Sequence, residues 1–154
     1  MSERKLKHVA DSYTMQVQIL TLGDLNGYSR LFGGKLMSWM DIVAGVTARR
    51  HAEKNVTTVS VEKLEFHAPA NANDILVLTG HVCYVGRTSM DICVNVYVEG
   101  LNGKRDLINE AHFTMVALDE NERPVQVPGL IVETEEERTE WNEAEQRKLN
   151  RKKF

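Results

Sequence analysis

The 154-residue sequence predicts an α+β fold: one antiparallel sheet wrapped around a single long buried helix, with a second helix at the C-terminus. Three observations predict it. The segment from Gly33 to about Lys54 is the only long apolar stretch with helical spacing before residue 130. Alternating segments precede it once and follow it four times, and a run of different character, dense in charge, closes the chain.

Each element has its own signature. Residues 1–12 carry no periodic apolar pattern and are expected to form a loose lead-in. From Tyr13 to Leu22 the chain alternates, with Met15, Val17 and Ile19 on one side and Gln16 and Gln18 on the other, as in a half-buried strand. Gly23 to Ser29 is loop, since Asn-Gly, Gly and Ser are turn chemistry. In the long helix Leu36, Met40, Val43 and Thr47 form one stripe. Met37, Ile42 and Val46 widen it, so burial on most sides is expected. Gly33 and Gly34 at its entrance leave backbone N–H groups sterically open to a ligand.

Val56–His67 is the next strand, and its apolar phase slips near Lys63, which predicts a bulge. Ile75–Val85, Thr88–Val98 and Leu107–Leu118 follow. In the second of these three, Met90, Ile92, Val94, Val96 and Val98 share one side. Gly86-Arg87 and Leu101–Lys104 read as hairpin connections. The Pro124, Pro128 and Gly129 region is expected to end the sheet. In the tail, Thr134 and Glu137 have capping-box spacing. Seven Glu between 133 and 145 and five Lys/Arg between 147 and 153 place acid at the helix start and base at its end. The expected division is therefore a main domain over 1–132 and a helical extension over 133–154, whose Trp141/Ala144/Leu149 stripe docks on the sheet or a neighbour. One curved sheet cannot cover so apolar a helix, so a second copy is expected to, giving at least a homodimer.

Composition narrows the function classes. Nineteen Lys+Arg against 22 Asp+Glu give a net charge of -3, which disfavours nucleic acid as a partner of the whole protein. No run of apolar residues approaches bilayer length, and the polar N-terminal segment lacks a secretory apolar core. A cytoplasmic protein with no membrane partner is expected. Cys83 and Cys93 are ten apart, with no disulfide or metal pattern, and read as reduced packing residues. His67, His81 and His112 lack metal-ligand spacing and read as sheet histidines, while His51 is placed on the exposed helix end. Neither a metal nor a cofactor is expected.

Asp41 is the anomaly. It sits between Met40 and Ile42 in the most apolar segment, and no Lys or Arg at 37, 38, 44 or 45 pairs with it. An unpaired carboxylate is costly to bury. It either faces a solvent channel or a backbone group, or it is a general base held in an apolar site.

The run from Asn26 through Phe32-Gly33-Gly34-Lys35-Leu36-Met37-Ser38-Trp39-Met40-Asp41 resembles the hot-dog-fold acyl-CoA thioesterases of the bacterial hexameric type. Phe66-His67-Ala68-Pro69 and Gly86-Arg87-Thr88-Ser89 extend the resemblance, which covers about residues 13–120. It implies hydrolysis of acyl-CoA to a carboxylic acid and CoA, by a homo-oligomer built as a trimer of dimers with substrate between two protomers. Asp41 would be general base or nucleophile. Asn26, six residues ahead of Phe32, would position the attacking water or the carbonyl from the partner subunit. The N–H groups of Gly33 or Gly34 are the candidate oxyanion donors. Gly86, Arg87, Thr88 and Ser89 would hold CoA phosphates; Arg147, Lys148 and Arg151 could add contacts but read as a solvated helix end. The sequence departs from the family at Ser29, where members usually carry glycine three residues after the Asn. A non-catalytic acyl-CoA-binding module and an acyl-thioester dehydratase of the same fold are the alternatives. Neither fits as well, since the first needs no carboxylate and the second usually sets a His beside the acid.

Overall fold

The computed structural model describes residues 3–151. Strands are β1 (Leu6–His8), β2 (Thr14–Ile19), β3 (Asn55–Phe66), β4 (Ile75–Val85), β5 (Ser89–Glu99), β6 (Arg105–Leu118) and β7 (Gly129–Ile131), and helices are α1 (Gly33–Ala52) and α2 (Glu135–Arg151). Five strands form one antiparallel sheet in the order β2-β4-β5-β6-β3, wrapped on α1. This is the hot-dog architecture that the resemblance implies.

Packing between α1 and the sheet explains both. Leu36, Met40, Val43, Ala44, Thr47 and Ala48 of α1 are buried against Leu76, Leu78, Val82, Ile92, Val94, Val96, Phe113 and Met115. Each large side chain so buried contributes roughly 1.5–3 kcal/mol. Gly80 lets the helix come close: a Cβ there would lie 2.6 Å from Thr47 Oγ1 and 2.8 Å from Val43 Cγ1. Alternation then assigns the faces. Gly80 pairs with Val94 and Thr14, so these residues face α1, and His81, Cys83 and Cys93 face away. The apolar side of β5 is therefore the core side, as its alternation predicts.

Helix α1 ends one residue or two before its expected limit, where Glu53 takes a left-handed φ of 56°. The bulge expected near Lys63 is present: the β3–β6 register shifts between Glu62 and Glu65, and Lys63 has φ 54°. A second shift lies between Thr58 and Ser60.

Several expectations are corrected. On β2, Met15, Val17 and Ile19 are 47–62% exposed, and it is Gln16 and Gln18 that lie on the α1 side. β2 is an edge strand that meets only the polar flank of the helix, where Arg50 Nη1 donates to Tyr13 O at 2.9 Å, so alternation was right and the buried face was not. The described part of the lead-in, from Glu3, is ordered: β1 pairs in parallel with β7, and Arg4 Nε donates to Val127 O at 2.7 Å. The Pro124–Gly129 segment thus starts a second small sheet besides ending the first. His51 is fully buried, its Nε2 2.8 Å from Pro128 O, because β7 covers that end of α1.

Helix α2 lies across the outer face of the sheet. Thr134 Oγ1 accepts from Glu137 N at 3.0 Å, as the capping spacing predicts, and Glu137 Oε1 accepts from Glu133 N. Trp141 packs on Tyr84 at 4.3 Å between ring centroids, and Ala144 is buried with Cys83 and Cys93. Burial pushes the Cys83 thiol well above its usual range and that of Cys93 up to about 12, consistent with inert packing residues. Leu149 does not join this contact and is half exposed. The basic end is not solvated as expected: Arg147 donates to His112 Nδ1 at 3.2 Å, and Arg151 Nη1 to Glu62 and Thr114, each at 3.0 Å. The helix was expected to run to Phe154; residues 152–154 lie outside the described part.

Candidate active site

The site begins with the loop before α1. Asp24, almost buried, accepts from the backbone and hydroxyl of Thr21 and pairs with Lys35 Nζ at 3.3 Å. The Thr21 backbone, ahead of Lys35, holds its carboxyl below the usual range. Phe32 N donates to Asp24 O at 2.8 Å, so the loop is tied to the helix entrance. Within it, Asn26 Oδ1 accepts from Tyr28 N at 2.8 Å and Arg30 N at 3.3 Å, an Asx-turn arrangement. Asn26 is exposed, and this leaves its amide N–H2 as the group for a ligand. Ser29 has φ 61°, the left-handed region that glycine occupies without strain. Ser29, at the position of the departure, thus takes a backbone conformation that glycine adopts without strain.

Behind the loop is a cavity of about 340 Å³ bounded by Asn26, Arg30, Leu36, Phe66, His67 and Asn109. Gly33 and Gly34 open α1, where no preceding turn accepts from their N–H groups.

Asp41 is not sunk in the chain's own core. It is exposed, as is its neighbour Ile42 at 53%. The stripe through Leu36, Met40, Val43 and Thr47 turns toward the sheet, and positions 41 and 42 fall on the flank that a single sheet leaves open. The carboxylate is nevertheless held. Thr58 Oγ1, on β3, donates to Asp41 Oδ1 at 2.7 Å, and both line a depression of about 310 Å³ with Gly45, Val46, Val56 and Met115. Sequence reasoning missed Thr58. The only signal was a hydroxyl on the inward phase of β3, where it pairs with buried Met115.

The predicted residues are not all brought together in one chain. Asn26 and Asp41 line different cavities, and Gly34 and Asp41 are seven residues apart, about 10 Å along the helix. Gly86–Ser89 lies elsewhere again, at the opposite end of α1, where Arg87 O accepts from Val127 N at 2.9 Å. Gly86 N donates to Ser89 O at 2.9 Å, which closes the turn. Arg4 Nη2 donates to Gly86 O at 2.6 Å, and a Cβ at Gly86 would meet Lys148 Nζ at 2.7 Å. Arg4 and Lys148 thus bring cationic side chains to the turn that carries Arg87, a setting suited to phosphate. Arg4 had no sequence signal, because only β1–β7 pairing brings it there.

Among the described residues, Glu65, His67 and Glu110 place three ligand-type atoms within 4.8 Å of one another. Glu65 and His67 are exposed and Glu110 partly so, as in a solvated ion-pair cluster.

A hot-dog sheet, a helix carboxylate held by a hydroxyl, and a tied loop ahead of the helix suit thioester hydrolysis, and comparison with known proteins places the chain in that class. Residues 28–103 match the family described as Thioesterase superfamily. The chain is 42% identical over 130 residues to an uncharacterized acyl-CoA thioester hydrolase of Bacillus subtilis, covering 84% of this chain and 76% of that protein. It is 31% identical over 147 residues to the human cytosolic acyl coenzyme A thioester hydrolase, covering 94% of this chain and 39% of that one. Among solved structures, an apo-hexameric acyl-CoA thioesterase superposes with a TM-score of 0.92 at 39% identity, covering 97% of this chain and 96% of that one. An acyl-CoA hydrolase from Staphylococcus aureus, in complex with butyryl coenzyme A, coenzyme A and coenzyme A disulfide, gives 0.90 at 33% identity, covering 96% and 90%. The chain belongs to the thioesterase superfamily, among its acyl-CoA thioester hydrolases.

Proposed function

We propose that Asp41 of one protomer and Asn26 of the partner subunit meet across a two-chain seam and there hydrolyse the thioester of acyl-CoA. The chain is an acyl-CoA thioester hydrolase, releasing a carboxylic acid and CoA. The single observation that carries the assignment within it is the Thr58–Asp41 hydrogen bond on the uncovered flank of α1. That flank ends in apolar side chains open to solvent: Phe32, Ile42, Val59 and Phe66 are each 53–59% exposed. A second copy laid on it would exclude water from Asp41 and bring a foreign loop to it.

Structures of the S. aureus enzyme include variants with alanine in place of an asparagine, an aspartate and a threonine spaced 15 and 17 residues apart. Asn26, Asp41 and Thr58 have the same spacing here, which supports this grouping.

In this reading the Asp41 carboxylate takes a proton from water as the oxygen attacks the thioester carbon. The partner subunit's Gly33 and the partner subunit's Gly34, which follow the loop that brings the partner's Asn26, offer N–H groups to the negative charge that develops on the carbonyl oxygen, since the same chain's helix entrance is about 10 Å from Asp41. The tetrahedral adduct then expels the CoA sulfur, which leaves as thiol with the proton returned. Direct attack by the carboxylate, giving a mixed anhydride that water opens, uses the same residues. Gly86–Ser89, with Arg87 and the adjoining Arg4 and Lys148, takes the CoA phosphates. Residues 1–132 are proposed as the catalytic unit and 133–154 as an extension, whose described helix, Glu135–Arg151, lies on the outer face of the sheet.

The protein works as a homo-oligomer on acyl-CoA, as its neighbours of hexameric form support; a trimer of dimers is the arrangement proposed. A cytoplasmic location is proposed from the cytosolic relative. Among the described residues no helix is long and apolar enough to cross a membrane.

The test is thiol release from acetyl-, medium-chain and long-chain acyl-CoA by wild type and Asp41→Asn. Wild type is expected to release thiol, and the variant to lose about 10²–10⁴-fold in kcat while remaining folded, since Asp41 is exposed in the single chain. Full activity in Asp41→Asn would remove that residue from the mechanism.

A further inference from the structure

Two of the glycines on or against α1 are explained by what they touch. A Cβ at Gly80 would meet Thr47 Oγ1 at 2.6 Å, and one at Gly34 would meet the Phe32 ring at 2.7 Å. Gly45, in the interior of α1, is different: a Cβ there would lie within 4 Å of nothing in its own chain. Glycine is the poorest residue for a helix interior after proline, and alanine would fit here without a clash. Neither helix formation nor packing within the chain therefore calls for glycine at this position.

Its place on the helix supplies a reason. Asp41, Gly45 and Arg49 recur every four residues and so share one side of α1. All three line the depression of about 310 Å³ that holds the Thr58–Asp41 pair, with Val46, Val56 and Met115 as apolar wall. Arg49, about 12 Å along the helix from Asp41, also lines an adjoining depression of about 680 Å³ together with Leu118. The Gly86–Ser89 turn is fastened beside that residue, since Thr88 O accepts from Ala117 N at 3.0 Å. An open lane thus runs along α1 from the turn proposed for the CoA phosphates to the Asp41 carboxylate. Gly45 is where a side chain would stand in it. Asp41 is exposed and Gly45 partly so, which leaves the lane open to a ligand.

We propose that Gly45 is a specificity-determining residue: its missing side chain admits a slender segment of the bound thioester to the Asp41 carboxylate. This rests on the acyl-CoA reading given above. Such a segment has two sources in that substrate class: the arm that joins the CoA phosphates to the sulfur, or the acyl chain. The far end of the lane, at the phosphate turn, suits the arm, and its apolar wall suits the acyl chain. In either case a bulkier residue at 45 occupies the space the segment needs, and the penalty falls on the substrate rather than on the fold.

The experiment compares wild type with Gly45→Ala and Gly45→Leu. It measures kcat/KM on acetyl-CoA and on a medium-chain acyl-CoA, and the Kd of CoA itself by titration calorimetry. Both substitutions insert better helix formers, so a urea midpoint at or above that of wild type is expected. Light scattering is expected to show the assembled size of wild type. If the arm passes over Gly45, Gly45→Leu weakens CoA binding about tenfold and lowers kcat/KM on both esters alike. If the acyl chain does, the tenfold fall is confined to the medium-chain ester and CoA binds as before. Gly45→Ala follows the same pattern in smaller measure, and it carries the comparison alone should Gly45→Leu fail to fold. Either pattern supports the proposal. Unchanged kinetics and unchanged CoA binding overturn it, as does an equal fall on both esters with CoA binding unchanged, which would mark a disturbance of Asp41 itself. A changed assembled size also overturns it, because the gap would then belong to contact with the partner subunit. Absence of thiol release by wild type from every ester would instead defeat the acyl-CoA reading, so the two failures are told apart.

Discussion

Asp41 and Thr58 are tied by one short hydrogen bond, and its value lies in aiming the carboxylate rather than in stability. A hydroxyl that donates to a charged oxygen is worth about 1.5–3 kcal/mol. Thr58→Val is expected to lower kcat roughly 10- to 100-fold with little change in KM, while Thr58→Ser retains most activity. Steady-state kinetics on one acyl-CoA decides this, and an unchanged kcat in Thr58→Val would show that the bond does not serve catalysis. The sequence marked Asp41 because a charge stood alone among apolar neighbours. It did not mark Thr58, because a threonine in a strand is ordinary.

At the scale of elements, two contacts set the architecture. The first is the close approach of α1 to β4 at Gly80. Gly80→Ala places a methyl within 3 Å of both Thr47 and Val43 and is expected to destabilise by about 1–3 kcal/mol, read as a lower urea midpoint. A midpoint equal to wild type would mean that the helix shifts freely. The second is the seat of α2. Burial, then the neighbouring Arg147 guanidinium, pushes His112 down to about 4 from its ordinary value of 6.5. Between those two pH values the unfolded chain carries a proton on this ring and the folded chain does not. Stability is therefore full above pH 6.5 and is lost as pH falls toward 4, by up to about 3 kcal/mol. Melting temperature measured across this window is expected to fall more gently in His112→Gln. Identical slopes would exclude His112 as the group responsible.

The whole molecule is incomplete as a single chain. β3 is an edge strand with Val59 exposed, and Met15, Val17 and Ile19 open an apolar strip on the opposite edge strand. Long exposed edges with apolar side chains invite pairing. Val59→Lys puts a charge on the β3 edge without touching the core, and is expected to shift the assembly toward single chains in light scattering. Thiol release per chain should fall in parallel. Dissociated but fully active protein would refute the two-chain site.

Periodicity alone determined the sheet, the long helix, the bulge near Lys63 and the capped tail, because each depends on neighbours a few residues away. The motif around Asp41 determined the family. Which faces are covered was decided only by tertiary structure. Alternation on β2 is the same whichever side meets the helix; His51 is buried only because β7, nearly 80 residues on, lies over it. Arg4 reaches Gly86 across 82 residues, and Arg147 reaches His112 across 35. Asp41 is open to solvent for the same reason: local sequence sets which way a side chain points, and the remote packing of sheet on helix sets what it meets there.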